Sequence, residues 1–322
     1  MHLYRPLQTP VMKSWGKDMR EFFYPSCGKG DIHVCRWEPE GEIRGIVQIV
    51  HGIAEYAQRY EPFALFLNDL GYLVVAEDHM GHGKSRDSAR GYFHGGWFCA
   101  VQDTFQLLQM TKEEFPGVPY ILFGHSMGSF MARTMLIQYP DCGISGAVIC
   151  GTGWMPHAVL QAGYSMGKLM CRGGKDRKPN ESLHKLMFGA YNKRVEHPRS
   201  SHDWLNRDPA QVDAYVNDPM CGFTETAGLA RDMLQGILYI QNKKNLQKMN
   251  RELPVLFIAG GDDPVGDYGK GVHKAAEKFK QYGMKSVSSR IYPLCRHEIL
   301  NEINKEEIFE DIAQWIEEIR SV

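Results

Sequence analysis

Nowhere do the 322 residues contain a run approaching the roughly 18 apolar residues that a membrane-spanning helix needs. The first residues, MHLYRPLQTPVMKSWGKD, hold no apolar stretch of signal-peptide length and are interrupted by Pro6 and Pro10. That pattern makes the cytoplasm the expected compartment. Charge of one sign is also missing: 37 Lys and Arg offset 38 Asp and Glu, for a formal net charge of -1. Nucleic acid is therefore not an expected partner, because phosphate binding needs a concentrated basic surface. The stretch Lys168 to Lys178 is the one local exception, and it reads as a solvated loop. The eight cysteines (27, 35, 99, 142, 150, 171, 221 and 295) form no C-x-x-C pair. Neither a zinc ribbon nor a thioredoxin-like site is signalled, and free thiols are expected, with Cys150 acting as a small core residue. Internal repeats and low-complexity linkers are absent too.

What the chain does contain is a change of rhythm. Arg20 to Tyr24 and Asp31 to Trp37 are β-rich runs around a glycine-bearing turn at Cys27-Gly28-Lys29-Gly30, which reads as a hairpin. Short apolar strands then alternate with amphipathic helices, implying βαβ units and a mostly parallel sheet. Strands are expected at 45–50, 72–76, 120–123, 146–150, 255–259 and 287–292. Phe63, Phe66, Leu67 and Leu70 fall at helical spacing, and Gly71 is placed to stop that helix. Further helices are expected over 127–139, 272–282 and from Glu302 onward. From 153 to 238 the strand rhythm disappears, and Met155, Met166, Met170, Met187 and Trp204 accumulate. The resulting expectation is an α/β core formed by 1–152 and 239–322, with a helical cap inserted at 153–238.

The sharpest local signal is Gly124-His125-Ser126-Met127-Gly128, which matches G-x-S-x-G directly after an apolar strand and directly before a helix. A turn this sharp strains the central residue, and the flanking glycines let neighbouring backbone approach without a Cβ clash. The serine oxygen then stands at the carboxyl edge of the sheet, where open parallel sheets bind ligands. The amino end of the following helix favours negative charge developing there.

A serine hydroxyl becomes a useful nucleophile when a histidine removes its proton and a carboxylate orients that histidine. After a serine elbow the acid and then the histidine follow in chain order. The strand at 255–259 runs into Gly260-Gly261-Asp262-Asp263-Pro264, and Asp263 is the expected acid, ahead of Asp262 and Asp267. His297, in the loop after the last strand, is the expected base; His273 falls inside a helix and is the weaker candidate. Two backbone N–H groups should hold an oxyanion. Met127 supplies one, and Ile53, in the His51-Gly52-Ile53-Ala54-Glu55-Tyr56 loop, supplies the other.

The segments HGIAEYAQRY, DHMGHGKS, FGHSMGS, GGDDPVGDYGKG and PLCRHEILNE resemble those of the monoacylglycerol lipase and lysophospholipase group of α/β-hydrolases. The resemblance runs from about residue 20 to the C-terminus and thins across the insertion. It implies the α/β-hydrolase fold, Ser126, Asp263 and His297 as a triad, and a helical cap gating an acyl-binding channel. It also implies a carboxylic-ester hydrolase for monoacylglycerol or lysophospholipid-like substrates. Trp204 to Asp208 and Tyr215 to Phe223 resemble cap segments of bacterial members. Tyr56 stands where the group often has a second histidine.

No metal or organic cofactor is needed for such chemistry. Gly81-His82-Gly83-Lys84-Ser85 ends like a phosphate-binding loop but has Asp78 where the first glycine belongs. His297-Glu298-Ile299-Leu300 begins like a zinc motif and meets Asn301 in place of histidine. Rival readings remain. An aminopeptidase of the iminopeptidase kind would need a cap carboxylate such as Glu181, Glu196 or Glu225 to hold a free amine. An acyltransferase would differ only in its acceptor, and a silent small-molecule-binding protein would keep the fold without the reaction. Transient contact with a membrane surface is compatible with a lipid-like substrate, and nothing in the sequence specifies an oligomeric state.

Overall fold

The computed structural model describes residues 13–15, 19–85 and 89–320; most of the N-terminal stretch read above lies outside them. Among the described residues, nine strands form one sheet: β1 (Lys13–Trp15), β2 (Met19–Pro25), β3 (Asp31–Trp37), β4 (Gly45–Val50), β5 (Tyr72–Glu77), β6 (Tyr120–His125), β7 (Gly146–Cys150), β8 (Val255–Gly260) and β9 (Val287–Tyr292). Their order is β1-β2-β3-β5-β4-β6-β7-β8-β9. The expected hairpin is β2 and β3, antiparallel, with β3 also antiparallel to β5. From β4 to β9 every pairing is parallel.

The central strands are apolar on both faces because both are covered. On β6, Tyr120 and Leu122 point into one core and Ile121 and Phe123 into the other; β8 divides Val255, Phe257 and Ala259 from Leu256 and Ile258 in the same way. Helices α1 (Glu61–Asp69) and α10 (Lys305–Arg320) cover the second face. The first face carries α2 (Trp97–Glu114), α3 (Met127–Gln138) and α9 (Lys270–Gln281). Helix α2 has no counterpart among the expected elements. Its signal is nevertheless present, since buried Trp97, Ala100, Val101, Thr104, Leu107, Leu108 and Thr111 repeat at helical spacing.

Between β7 and β8 the chain forms α4 (His157–Met170), α5 (Glu181–Phe188), α6 (Pro209–Asn217), α7 (Ala227–Ile240) and the short α8 (Lys243–Leu246). Helix α7 packs on α2, α3 and α4. That outer cover explains why Met127 through Ile137 are all buried on α3, instead of a single stripe. Among the described residues, no helix is long and apolar enough to cross a membrane.

The expectation of free thiols throughout is corrected at one pair. Cys27, in the β2–β3 turn, is disulfide-bonded to Cys99 on the first turn of α2, with Cα atoms 5.9 Å apart. They are separated by 72 residues in sequence, so only the docking of α2 against the hairpin brings them within bonding reach. The other six cysteines are free.

Candidate active site

Ser126 occupies the turn between β6 and α3 with φ 53° and ψ -121°, a region that side chains other than glycine rarely adopt. The surroundings over-determine it. Its N–H donates to the carbonyl of Cys150 at 3.0 Å, and its own carbonyl accepts from Ser129 N–H at 2.9 Å and Ser129 Oγ at 2.5 Å. Gly124 is required because a Cβ there would stand 2.5 Å from the carbonyl oxygen of Gly128. Gly128 in turn lies against the carbonyls of Val50 and His51, which brings the amino end of α3 to the end of β4.

That approach places the 51–56 loop over the serine. A Cβ on Gly52 would come within 3.1 Å of Ser126 Cβ. The Gly52 N–H donates to Glu55 Oε1 at 2.6 Å, and the Gly52 carbonyl lies 2.7 Å from Nδ1 of His51. The N–H of His79 donates to His51 Nε2 at 3.0 Å, so Nδ1 carries the ring proton and donates to Gly52. Burial, then the neighbouring His79 and His82, hold His51 neutral by pushing its pKa well down. In a planar trans peptide the Ile53 N–H points opposite the Gly52 carbonyl, so the His51 bond constrains the direction of that donor from the core side. Ile53 is half-buried, and Met127 is buried at the first turn of α3.

Asp263 follows β8 and His297 follows β9, so both sit at the carboxyl end of the sheet with Ser126. Nδ1 of His297 lies 3.0 Å from Oδ2 of Asp263, and both side chains are almost fully buried. Oδ1 of Asp263 accepts from Val265 N–H at 2.9 Å. A Cβ on Gly151 would lie 3.1 Å from His297 Cε1, one residue beyond the carbonyl that holds the Ser126 amide. The imidazole is flanked by His125 and Trp204, with ring centroids at 4.7 and 5.0 Å. Burial favours a neutral ring, but the Asp263 carboxylate 3.0 Å away, with Glu298 and Glu55 behind it, outweighs burial and raises the His297 pKa. His125, without a carboxylate, is pushed well down by burial and by the charge of His297.

The alternatives fall elsewhere. Asp262 and Asp267 are exposed, and His273 is exposed on α9 beside Ser289. Glu181 and Glu196 are exposed, while Glu225 is buried against His184 at 2.8 Å. The Gly81–Ser85 loop encloses a carboxylate: Asp78 accepts from Lys84 N–H and Ala57 N–H at 2.8 Å, and its Oδ2 lies 2.7 Å from His33 Nδ1.

An ion network that the sequence alone did not reveal links the 51–56 loop to the loop carrying His297. Arg59 binds Glu55 at 2.7 Å and grips Glu298 with two bonds of 2.8 Å. Burial raises the carboxylates, yet the bidentate Arg59 contact wins at Glu298 and lowers its pKa; at Glu55 burial wins, and the pKa is raised. The signal was charge at 55, 59 and 298, but only folding brings 298 to the others.

A strained serine on a strand-to-helix turn, with a buried Asp-His pair at the same sheet edge, defines an α/β-hydrolase. The chain belongs to the Hydrolase_4 family, described as Serine aminopeptidase, S33, which matches residues 41–304. A solved structure of a highly thermostable carboxyl esterase from Bacillus coagulans is 31% identical, with TM-score 0.87 over 94% of this chain and 99% of that one. The monoacylglycerol lipase of Mycolicibacterium smegmatis is 27% identical over 87% of this chain and 90% of its own. The human monoglyceride lipase is 26% identical over 89% and 87%.

Proposed function

We propose that the protein is a serine carboxylic-ester hydrolase acting on monoacylglycerol or lysophospholipid-like acyl esters. The observation that carries this reading is Ser126 in its strained turn beside the buried Asp263–His297 pair. His297 Nε2 takes the proton of Ser126 Oγ as that oxygen attacks the ester carbonyl. The Ile53 and Met127 N–H groups hold the tetrahedral oxyanion. The acyl–oxygen bond breaks, the leaving alcohol takes the proton from His297, and an acyl-enzyme remains. Water then attacks the acyl carbonyl, gives a proton to His297 and releases the acid as Ser126 recovers its proton. Asp263 stays ionised, orienting the imidazole and stabilising the imidazolium.

The 153–238 insertion is the cap that selects the substrate. Val159, Leu169, Leu186 and Val216 are large apolar residues exposed on this part of the chain. They support transient contact with the lipid surface from which such substrates are drawn. The family description raises the aminopeptidase alternative, and Glu225 is the buried acid that reading would use. Its Oε2 pairs with His184 while its Oε1 has no hydrogen-bond partner among the described residues, so amide substrates are the direct test of that reading.

A panel of p-nitrophenyl esters from acetate to palmitate, with monoacylglycerol, lysophospholipid and aminoacyl-naphthylamides in parallel, tests the reading. Ester turnover lost in Ser126→Ala is the expected result. Amide cleavage exceeding ester cleavage, or ester turnover retained by the variant, overturns it.

A further inference from the structure

The oxyanion loop is held from two sides, and one of them is the insertion. Ala54, directly after Ile53, is a buried alanine at φ 55°, in the left-handed region where a Cβ is disfavoured. Its carbonyl accepts two hydrogen bonds, from the Tyr215 hydroxyl at 3.0 Å and from the Gly222 N–H at 2.9 Å. Both donors belong to the segment between β7 and β8. The Tyr215 ring is pinned from its other side by the Arg59 guanidinium, 4.9 Å from its centroid. A second tie, Tyr56 Oη to Asp218 Oδ2 at 2.8 Å, joins the same two segments.

We propose that Tyr215 is a positioning residue: by gripping the Ala54 carbonyl it holds the oxyanion loop in the conformation that aims the Ile53 N–H, so the oxyanion hole is complete only when the cap is seated. The proposal rests on the serine-hydrolase reading above and extends it. Strain at a single backbone position persists only where neighbours enforce it. His51 sets the plane of the Gly52–Ile53 peptide from the core side. On the far side of Ala54, the Ala54–Glu55 peptide has its carbonyl held by the insertion, so the backbone angle at Ala54 is clamped between the two. When the cap lifts, Ala54 loses both donors and relaxes toward negative φ. The peptide between Ile53 and Ala54 then rotates, and the donor is drawn off line. Cap closure and transition-state stabilisation become one event, which ties turnover to a correctly enclosed substrate.

The test separates positioning from cap stability. Tyr215→Phe keeps the ring against Arg59 and deletes only the hydroxyl. It is expected to lower kcat on a p-nitrophenyl ester roughly tenfold, the scale of one hydrogen bond, with KM changed by less than about twofold. The Ki of a trifluoromethyl ketone, which forms a tetrahedral oxyanion on the serine, should rise by the same factor. Ala54→Gly in the Tyr215→Phe background removes the Cβ penalty at positive φ and is expected to restore most of the lost kcat. An unchanged kcat, a loss carried by KM, or no rescue by Ala54→Gly overturns the proposal. If Ser126→Ala retained turnover, the failure would lie in the serine-hydrolase reading itself.

Discussion

Arg59 offers the most demanding test of the electrostatics. Arg59→Met preserves much of the side-chain volume and removes the cation between Glu55 and Glu298, whose side chains are only 5% and 6% exposed. Glu55 keeps the Tyr60 hydroxyl and Gly52 N–H, and Glu298 keeps the Asn301 amide. Two carboxylates are nevertheless left buried without a counter-charge, and breaking a buried pair in this way costs about 3–5 kcal/mol. For 322 residues an unfolding entropy of about 2.1 cal/mol/K per residue gives about 0.7 kcal/mol/K, so Tm should fall by about 4–7 °C. The effect must also depend on pH. In the wild type Arg59 depresses Glu298, whose contribution is present above the unfolded carboxylate pKa and fades as pH falls through the folded one. In the variant both carboxylates are unpaired, and burial raises their folded pKa values above the unfolded ones. The destabilisation is then full at high pH and disappears as the groups take protons. Melting curves of both proteins from about pH 8 down to about pH 5 should therefore converge. A Tm gap under about 1 °C, or one that stays constant with pH, would refute the reasoning. Arg133 supplies the contrast: it is fully buried, donates to Thr152 Oγ1 and the Gly153 carbonyl with no carboxylate paired to it among the described residues, and burial pulls its pKa down to about 9. Arg133→Met should cost much less than Arg59→Met or even stabilise, since a buried charge can be replaced by an apolar side chain of similar volume without loss.

Asp263→Asn should lower kcat by about ten-thousand-fold with little change in KM, because the amide leaves the imidazole in the wrong tautomer; equal losses from Asp262→Asn would show that the acid is misassigned. The acid limb of kcat/KM reports protonation of His297, whose pKa is raised by Asp263 against burial with help from Glu298. Glu298→Gln removes a charge that favours the imidazolium, so that limb should move to lower pH; a limb that stays or rises contradicts the assignment. Gly128→Ala sets a Cβ against the carbonyls of Val50 and His51, where only backbone movement can make room, and should abolish ester turnover. Wild-type turnover by that variant would contradict the close approach of α3 to β4.

How much of this was legible in the sequence follows from the distance over which each feature is specified. The sheet was readable because β4, β6, β7 and β8 are predominantly apolar runs buried at every position, and a strand buried on both faces needs no partner to declare itself. The elbow was readable because its five-residue pattern is local: Gly124 is demanded by the Gly128 carbonyl four residues on, and the strain at 126 is the strain the motif predicts, although Gly128 itself is demanded by the distant carbonyls of Val50 and His51. Asp263 and His297 were readable by position, each in the loop after its strand, and the structure brings those two side chains together while leaving Asp262, Asp267 and His273 at the surface. What was not readable spans the insertion. Ala54 is an ordinary residue in one dimension; its left-handed backbone is stable only because Tyr215 and Gly222, more than 160 positions later, donate to its carbonyl. Glu298 follows the histidine in what resembled the start of a metal motif, and only Arg59, 239 residues away, reveals it as an ion-pair partner. Cys27 and Cys99 belong to the same class. The chemistry of this protein is thus written locally and its alignment is written across the insertion. A relative that keeps G-x-S-x-G, the acid and the histidine can lose activity through a change between β7 and β8 that leaves every catalytic residue in place.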